Sequence, residues 1–527
     1  MKKFFFGLLS AVMMLVVAVS CSSTGDRTFG NCIPDDAIAV VKMNVKSLFD
    51  KSAVADMPEY KETMEVLEMS IPSEMKDLYD KIMENPAESG IDINHPAVIA
   101  VNGPLLAAKA EVILRVADRQ KVTNLLETLD TESVLDIVEE SGCTHVNTGE
   151  KNVDVAYDDY FFILTATDRK TAPAASSYLN LKEEKSLASN ENAADFVKAG
   201  EDIVVFLNNE KLMAASEMVG GNNGMNISSL MQDTYTMMTL NFEVGQVTSI
   251  AKVYPGPQYK KYMDCVKPAS DKFLDKVPAN SYVVANASIQ NLGDALSEAY
   301  GSAFDQIDRE LKNNIGLTSK EILNSFDGDI LVFVAPNREH QVPFFGVYSE
   351  LKDRTLWETI QEGLASAPAE KVSAKGTDSY LIQVANEIGV NYELRFEENA
   401  LVFEPEGFAC RPTIRNTQYA DLFKISGVLI NIESILEDPT VVAAIERDSE
   451  LAALEPMFKQ FVALTGETKA NFDTFSKLTI NTEKNSLAFI VDLAKKFSEA
   501  SAAARVRYSY DDYYVDDDVD FDWSDFE

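Results

Sequence analysis

The chain has 527 residues, of which 46% are hydrophobic, and its 84 acidic and 47 basic residues give a formal net charge of −37. A mature chain of this length predicts roughly two to four domains. So acidic a surface repels nucleic acid and anionic lipid headgroups, which argues against both as partners.

Residues 1–20 are predicted to be a lipoprotein signal peptide. Two lysines precede an uncharged run from Phe4 to Val19 that is shorter than the roughly 20 residues a spanning helix needs. The following Ala18-Val19-Ser20-Cys21 resembles a bacterial lipobox, in which the chain is cut before a cysteine that carries two or three acyl chains. That number of chains, palmitate among them, anchors a protein durably. We therefore expect a lipid anchor on Cys21 followed by a tether over residues 21–29, with an ordinary cleaved signal as the alternative.

The stretch IPDDAIAVVKMNVKSLFD (33–50) returns as VPANSYVVANASIQNLGD (277–294). Four further matches follow in the same order: 110–129 with 343–364, 155–165 with 394–404, 202–213 with 426–436, and 239–250 with 478–490. Matches that keep their order while their spacing drifts indicate duplication with loop changes. We predict a first repeat unit over residues 30–265 and a second over residues 266–500.

Within each unit, short runs rich in Val, Ile and Phe predict strands, and intervening stretches with helical periodicity predict helices. The run KVTNLLETL places Val122, Leu125, Leu126 and Leu129 on one helix face. Short turns between strands imply antiparallel pairing. The predicted fold class is α+β, a tandem duplication of a mixed, mainly antiparallel sheet unit packed with helices.

Three aspartates, Asp118, Asp168 and Asp353, each follow a strand and precede an arginine. An aspartate at this position accepts hydrogen bonds from free amides at a helix start and suits the positive end of the helix dipole. We interpret all three as structural N-caps.

The lipobox, the Ile-Pro-Asp-Asp-Ala start of the mature domain and VVKMNVKSLFDKS after it together resemble an uncharacterised family of Bacteroidota envelope lipoproteins, domain of unknown function 4836. The resemblance covers nearly the whole mature chain. It implies a cell-envelope location, lipid-anchored with the outer membrane favoured and the periplasmic or surface face undecided, and it implies no catalytic residues.

Catalytic and cofactor motifs are few. The histidines His95, His145 and His340 are far apart, the S-x-x-K pattern at Ser73 and Lys76 lacks its companion motifs, and no phosphate-binding glycine motif occurs. The acidic pairs Asp158-Asp159 and Glu397-Glu398 fall at equivalent hairpin turns and are interpreted as solvated, with cation binding or glycoside chemistry as the alternative. We predict no cofactor.

Four cysteines follow Cys21, and none forms a CxxC motif. We expect free buried thiols, with a disulfide between Cys32 and Cys265 as the alternative that an oxidising envelope permits.

The C-terminal segment 501–527 alternates acids and aromatics and is predicted to be disordered. Its acids match five positions of a calcium loop but lack the required glycine, so they form a weak metal candidate: Asp516, Asp518, Asp520, Asp522 and Glu527. Its aromatic side chains are candidates for docking on a partner: Tyr513, Tyr514, Phe521, Trp523 and Phe526.

The sequence thus favours a membrane-anchored, non-enzymatic binding or scaffolding protein with a protein or glycan partner. The competing hypothesis is a hydrolase of an envelope or dietary polymer that uses carboxylates in a cleft between the repeats.

Overall fold

The computed structural model describes residues 27–70, 73–103, 108–130, 135–140, 142–167, 171–220, 227–337, 342–383, 390–469 and 471–511. The strands of the first half are β1 (Ala39–Met43), β2 (Ala97–Asn102), β3 (Lys109–Arg115), β4 (Asp136–Glu140), β5 (Cys143–Asn147), β6 (Val153–Tyr157), β7 (Phe161–Thr167), β8 (Ile203–Asn208), β9 (Tyr235–Glu243) and β10 (Gln246–Tyr254). The later strands are β11 (Val266–Lys267), β12 (Val283–Ile289), β13 (Phe326–Ala335), β14 (Phe344–Leu351), β15 (Val372–Gly376), β16 (Ser379–Gln383), β17 (Asn391–Glu397), β18 (Ala400–Pro405), β19 (Ser426–Asn431), β20 (Phe461–Thr468) and β21 (Thr474–Ile480).

The α-helices connect these strands. They are α1 (Val45–Ser52), α2 (Pro58–Ser70), α3 (Ser73–Glu84), α4 (Arg119–Leu129), α5 (Ala175–Leu179), α6 (Ala194–Lys198), α7 (Asn209–Gly220), α8 (Ile227–Leu230), α9 (Pro257–Met263), α10 (Leu292–Ile315), α11 (Ser319–Ser325), α12 (Thr355–Ala365), α13 (Ile432–Leu436), α14 (Pro439–Arg447), α15 (Ser449–Phe458) and α16 (Ser486–Asp511). The predicted α+β class is confirmed.

Both halves of the chain use the same strand order. The first half runs β4-β5-β6-β7-β3-β2-β1-β8-β9-β10, and the second runs β15-β16-β17-β18-β14-β13-β12-β19-β20-β21. Every pairing is antiparallel, as the short turns predict. The exact boundaries of the repeat units stay predictions.

The halves meet through their equivalent last strands, β10 and β21. These pair antiparallel from Gln246 opposite Thr479 to Ala251 opposite Thr474, so the described strands form one sheet. This pairing covers two edges that would otherwise expose unpaired backbone groups. Helix α16 adds a second link, because Lys495 forms an ion pair with Glu59 of α2 at 2.6 Å.

The last predicted repeat match, 239–250 with 478–490, is wrong. The counterpart of the β9–β10 hairpin is the β20–β21 hairpin, whereas residues from Ser486 onward belong to α16. That helix continues to Asp511 and so enters the segment predicted as a disordered tail from residue 501. Residues 239–250 and 478–490 contain similar apolar runs, and hydrophobic periodicity over so few residues does not distinguish a strand from a helix.

One face of the sheet, which we call the covered face, packs on two hydrophobic cores. The core of the first half is closed by residues 29–38 and 175–199 and includes Val40, Ile163 and Phe206. The core of the second half includes Phe273, Phe333 and Phe423. Each core belongs to one half of the chain, as independent repeat units require.

Asp202 fastens helix α1 to the sheet. Its carboxylate, with the side chain 4% exposed, forms an ion pair with Lys51 at 2.6 Å and accepts hydrogen bonds from Ser47 Oγ at 2.6 Å and Phe242 N at 2.8 Å. Burial acts to raise the pKa of Asp202, but the hydrogen bonds from Lys51, Phe242 and Ser47 outweigh it and hold the pKa below the usual value.

We expect Asp202→Asn to lower the free energy of unfolding at pH 7 by about 2 to 3 kcal/mol, since it leaves buried donors without their charged acceptor. A carboxyl with a lowered folded pKa stabilises the fold above its unfolded pKa, about 3.9, and this contribution is lost as the pH falls through the folded pKa. Urea unfolding of the variant should therefore depend less on pH in the acidic range. Asp50→Asn is the matched control, since Asp50 is exposed and pairs with Lys46 on the same helix; an equal loss in both variants would contradict the role of Asp202.

Candidate functional site

The other face of the sheet, which we call the open face, is apolar although it is partly exposed. On it Val41 lies opposite Ile99 and Val205, and Val428 lies opposite Ala285. Its most exposed large side chains are between 37% and 43% exposed: Met238, Val332, Phe345, Val428 and Leu464. An antiparallel sheet with one solvated face normally shows polar residues there. A contiguous exposed apolar surface is typical of a binding surface.

Helix α4 covers one end of the open face and encloses a cavity of about 250 Å³ beneath it. The helix begins after Asp118, whose carboxylate accepts a hydrogen bond from Lys121 N at 3.1 Å, so the predicted N-cap is confirmed. The predicted apolar stripe of α4 faces the cavity. The apolar lining residues are Met43, Val45, Ile91, Ile93, Ala97, Ile99, Val112, Leu114, Val122, Leu125, Leu126, Leu129 and Phe162.

Few polar side chains line this cavity. Asp92 is one of them, and its carboxylate already contacts Asn94 and His95. Its carboxylate, 1% exposed, accepts a hydrogen bond from Asn94 N at 3.1 Å and contacts His95 Nδ1 at 3.0 Å. His95 lines the cavity with a side chain that is 44% exposed, so the cavity reaches the surface beside His95. A cavity with so apolar a lining suits apolar ligands.

The cavity and the open face are continuous. Met43, Ala97 and Ile99 line the cavity and belong to the open face, where Met43 lies opposite Ala97. An apolar chain longer than the cavity would therefore pass onto more apolar surface.

The second half fills the corresponding space under helix α12. Four residues after Asp118 the first half has Val122, and four residues after the matching Asp353 the second half has Trp357. Trp357 is fully buried, stacks on Phe396 with ring centroids 6.0 Å apart, and donates a hydrogen bond from Nε1 to Asp378 at 3.0 Å. The two units thus differ at the site where the first has its cavity.

A second cavity, of about 850 Å³, lies at the hairpin ends of the second half. Its lining mixes polar groups such as Asn280, Asn391 and Arg411 with Phe344 and Phe408, and its Glu406 is already paired with Lys375 at 2.6 Å. It is wider and more open than the first cavity. Each cavity takes its lining from one half of the chain only.

A buried carboxyl, Glu111, lies on the covered face close to the end of β3. Its Oε1 accepts a hydrogen bond from Asn102 Nδ2 at 2.6 Å, while Glu111 Oε2 and Asn102 Oδ1 have no partner among the described residues. Burial raises the pKa of Glu111 to about 8, against the opposing effect of hydrogen bonds from Tyr178 and Asn102. A neutral Glu111 carboxyl has an O–H group that can donate a hydrogen bond. Asn102 Oδ1 is an acceptor that lacks such a donor.

We expect Glu111→Gln to raise the free energy of unfolding at pH 8 by on the order of 2 to 4 kcal/mol, since each unit of raised pKa corresponds to about 1.4 kcal/mol. Between an unfolded pKa of about 4.3 and the folded value, the folded chain holds a proton that the unfolded chain releases, so stability falls as pH rises through this window. Urea unfolding at pH 5 and pH 8 measures this slope. The slope should vanish in Glu111→Gln and persist in the exposed control Glu139→Gln; an unchanged slope in Glu111→Gln would show that Glu111 is not its source.

Most residues that the sequence singled out by chemistry have structural contacts. Asp158 lies at the predicted turn between β6 and β7, accepts hydrogen bonds from Tyr160 N and Phe161 N, and pairs with Arg27 at 2.5 Å. Glu397 pairs with Arg395 at 3.1 Å, and His145 contacts Asp154 at 3.0 Å. The predicted N-cap at Asp353 is wrong by one residue, because the N-cap of α12 is Arg354, although Asp353 accepts a hydrogen bond from Thr355 N at 2.8 Å. Asp168 and His340 lie outside the described residues.

The cysteine prediction is confirmed in its main form. Cys32, Cys143 and Cys265 are free and buried, so Cys32 and Cys265 are not bonded, and Cys410 is free and partly exposed. Helix α3 begins at Ser73, the first residue of the S-x-x-K pattern.

The remaining predicted site residues lie outside the described residues. These are Cys21, the calcium candidates Asp516, Asp518, Asp520, Asp522 and Glu527, and the docking candidates Tyr513, Tyr514, Phe521, Trp523 and Phe526. Within the described ranges, no group of three or more His, Cys, Asp or Glu side chains is placed to hold a metal ion. In the same ranges, none of the helices combines the length and apolarity needed to cross a bilayer.

Sequence reasoning missed the cavity and the open face, although a signal was present. Runs such as AVIAVN (97–102) and IVVFLN (203–208) are apolar at both alternating positions. In an antiparallel sheet this pattern indicates that both faces meet apolar partners.

The fold is α+β, and the first half contains an apolar cavity beneath α4. A family model described as a domain of unknown function, DUF4836, matches residues 29–487, so the chain belongs to that family. No curated protein matches the chain.

Three solved structures, all crystal forms of TP0453, show weak similarity. Form IV has a TM-score of 0.25 and 11% identity and covers 43% of this chain and 80% of its own. Form III has a TM-score of 0.25 and 10% identity over 46% and 88%. Form I has a TM-score of 0.19 and 7% identity over 72% and 92%. Similarity at this level supports no conclusion about fold or function.

Proposed function

We propose that this protein is a non-enzymatic binding protein of the bacterial cell envelope, tethered to a membrane through lipid on Cys21, whose ligand is a lipid acyl chain. The observation that carries the proposal is the apolar cavity beneath α4, which opens onto an apolar sheet face. This ligand class differs from the protein or glycan partner that the sequence suggested.

The chemistry of the lining selects an apolar chain. A ligand with polar groups along its length would lose its hydrogen bonds to water in this cavity and find few replacements. Of the polar lining residues, Asp92 is already engaged by Asn94 and His95, and Arg115 donates to the Arg27 carbonyl. An acyl chain loses no hydrogen bonds on entry and gains about 0.8 kcal/mol for each methylene it removes from water. A polar headgroup would remain at the surface near His95.

The envelope location rests on the sequence. The lipobox around Cys21 supports a membrane anchor, with the outer membrane favoured, and the acidic charge of the chain disfavours nucleic acid as a partner. The tail aromatics from Tyr513 to Phe526 remain candidates for contact with a protein partner.

Titration of the full mature chain with a fluorescent analogue of palmitate tests this proposal. We expect saturable binding of one probe per chain and its displacement by unlabelled palmitate. Absence of saturable binding, or displacement by a soluble oligosaccharide instead of palmitate, would contradict acyl-chain binding.

A further inference from the structure

Arg27 contacts a residue of the cavity wall. Arg115 lines the cavity and donates a hydrogen bond from Nη1 to the backbone carbonyl of Arg27 at 3.1 Å. Arg27 is the first described residue. Arg115 therefore contacts both the Arg27 carbonyl and the cavity, although Arg27 itself lies against the covered-face core through Phe161 and Leu179.

Arg27 is held firmly at this position. Its guanidinium pairs with Asp158 at 2.5 Å, donates to the Leu179 carbonyl, and lies against the ring of Phe161 with its carbon 5.6 Å from the centroid. A lipid on Cys21 would be only six residues away. At ~3.3 to 3.6 Å per extended residue, that anchor keeps Arg27 within about 20 Å of the lipid attachment point.

The surface around Arg27 suits a membrane interface. The ring of Tyr160 is 38% exposed and lies under two guanidinium groups, 6.0 Å from Arg27 and 5.2 Å from Arg115. Tyrosine is enriched where a protein meets the lipid headgroups, because its ring is apolar and its hydroxyl is polar.

We propose that the cavity exchanges its acyl chain directly with the membrane that carries the tether. This inference rests on the proposed function, both in the lipid anchor and in the binding of an acyl chain. A short tether holds the cavity wall at the membrane, so the chain passes between two apolar environments. Release through water would instead expose every methylene to solvent.

Two tether variants of the lipidated chain test the proposal. Twenty residues are inserted between Asp26 and Arg27, either Pro-rich, which spans ~60 Å, or Gly/Ser-rich, with an end-to-end distance of only ~25 Å. Each protein is placed in phosphatidylcholine vesicles that contain a phosphatidylcholine with a photoreactive acyl chain. After illumination, the labelling of α4 peptides is measured by mass spectrometry.

We expect the native and flexible tethers to label α4 alike and the stiff tether to label it roughly tenfold less, because effective concentration falls when the linker holds the partners apart. All three should bind free fluorescent palmitate equally. Equal labelling with the stiff tether, or no labelling with the native tether despite palmitate binding, would overturn direct exchange. Failure of all three to bind palmitate would overturn the proposed function itself.

Discussion

Replacement of Ala97 by phenylalanine is expected to abolish acyl-chain binding, with at least a hundredfold loss of affinity for palmitate, while the chain still folds. Ala97 lies on β2, lines the cavity and is partly exposed, so the added ring enters empty space and displaces the ligand. Filling a cavity adds dispersion contacts, so stability should stay the same or rise. A loss of two orders of magnitude corresponds to about 2.8 kcal/mol of binding free energy.

The matched control is Ala251→Phe, the same substitution on the open face but in β10, outside the cavity lining. It should leave palmitate binding unchanged. Val122→Trp is a second filling variant, because it places in the first half the residue type that stands at the corresponding helix position in the second half. Undiminished binding in both Ala97→Phe and Val122→Trp would exclude the cavity as the binding site.

Replacement of Trp357 by alanine should lower the free energy of unfolding of the second half by about 3 to 5 kcal/mol, the usual cost of removing a large buried aromatic side chain. The substitution would open a cavity under α12 and remove both the stacking on Phe396 and the hydrogen bond to Asp378. Far-ultraviolet circular dichroism during urea unfolding is the suitable measurement, since the chain has only two tryptophans and the variant removes one from the fluorescence signal.

Phe497→Ala is the control for this loss, because Phe497 is 49% exposed on α16. A substitution at so exposed a position should change stability by no more than about 0.5 kcal/mol. If Trp357→Ala lowered the free energy of unfolding by as little as the control does, this result would contradict tight packing beneath α12.

Palmitate binding should be insensitive to Trp357→Ala, because the cavity is lined only by residues of the first half. The two halves share a strand order but differ in what lies beneath the equivalent helices. Duplication thus supplies two similar units: the first has a cavity beneath α4, and the second has the buried Trp357 beneath α12.

Local patterns predicted the elements whose signals are local. The apolar runs of β1, β2, β3, β7 and β8 and the stripe of α4 all lie where the sequence places them. The N-cap Asp118 was equally predictable, because a cap depends on residues within one turn of the helix.

Other elements lacked such a signal. Strand β4 reads Asp-Ile-Val-Glu-Glu, is mostly exposed and lies at the sheet edge, so neither its composition nor its periodicity indicates a strand. It forms because β5 offers hydrogen bonds to it, which is a tertiary effect. The pairing of β10 with β21 is equally invisible locally, since it joins residues more than 200 positions apart.

The cavity depends on a distance that no local pattern encodes. Val122, Leu125 and Leu126 read as an ordinary buried helix face, and they are buried. Whether such a face closes on the sheet or leaves space depends on the combined volume of side chains from β1, β2, β3, β7 and α4. Small residues such as Ala97 leave that space, and only the folded arrangement shows it.

Native mass spectrometry of the chain purified from its own membranes addresses acyl-chain binding in the cavity most directly. We predict a species that carries one non-covalent lipid in addition to the acyl groups on Cys21, and we predict that this species is missing from Ala97→Phe. Purification of the native chain without any non-covalent lipid, or equal retention of lipid by Ala97→Phe, would contradict acyl-chain binding in the cavity.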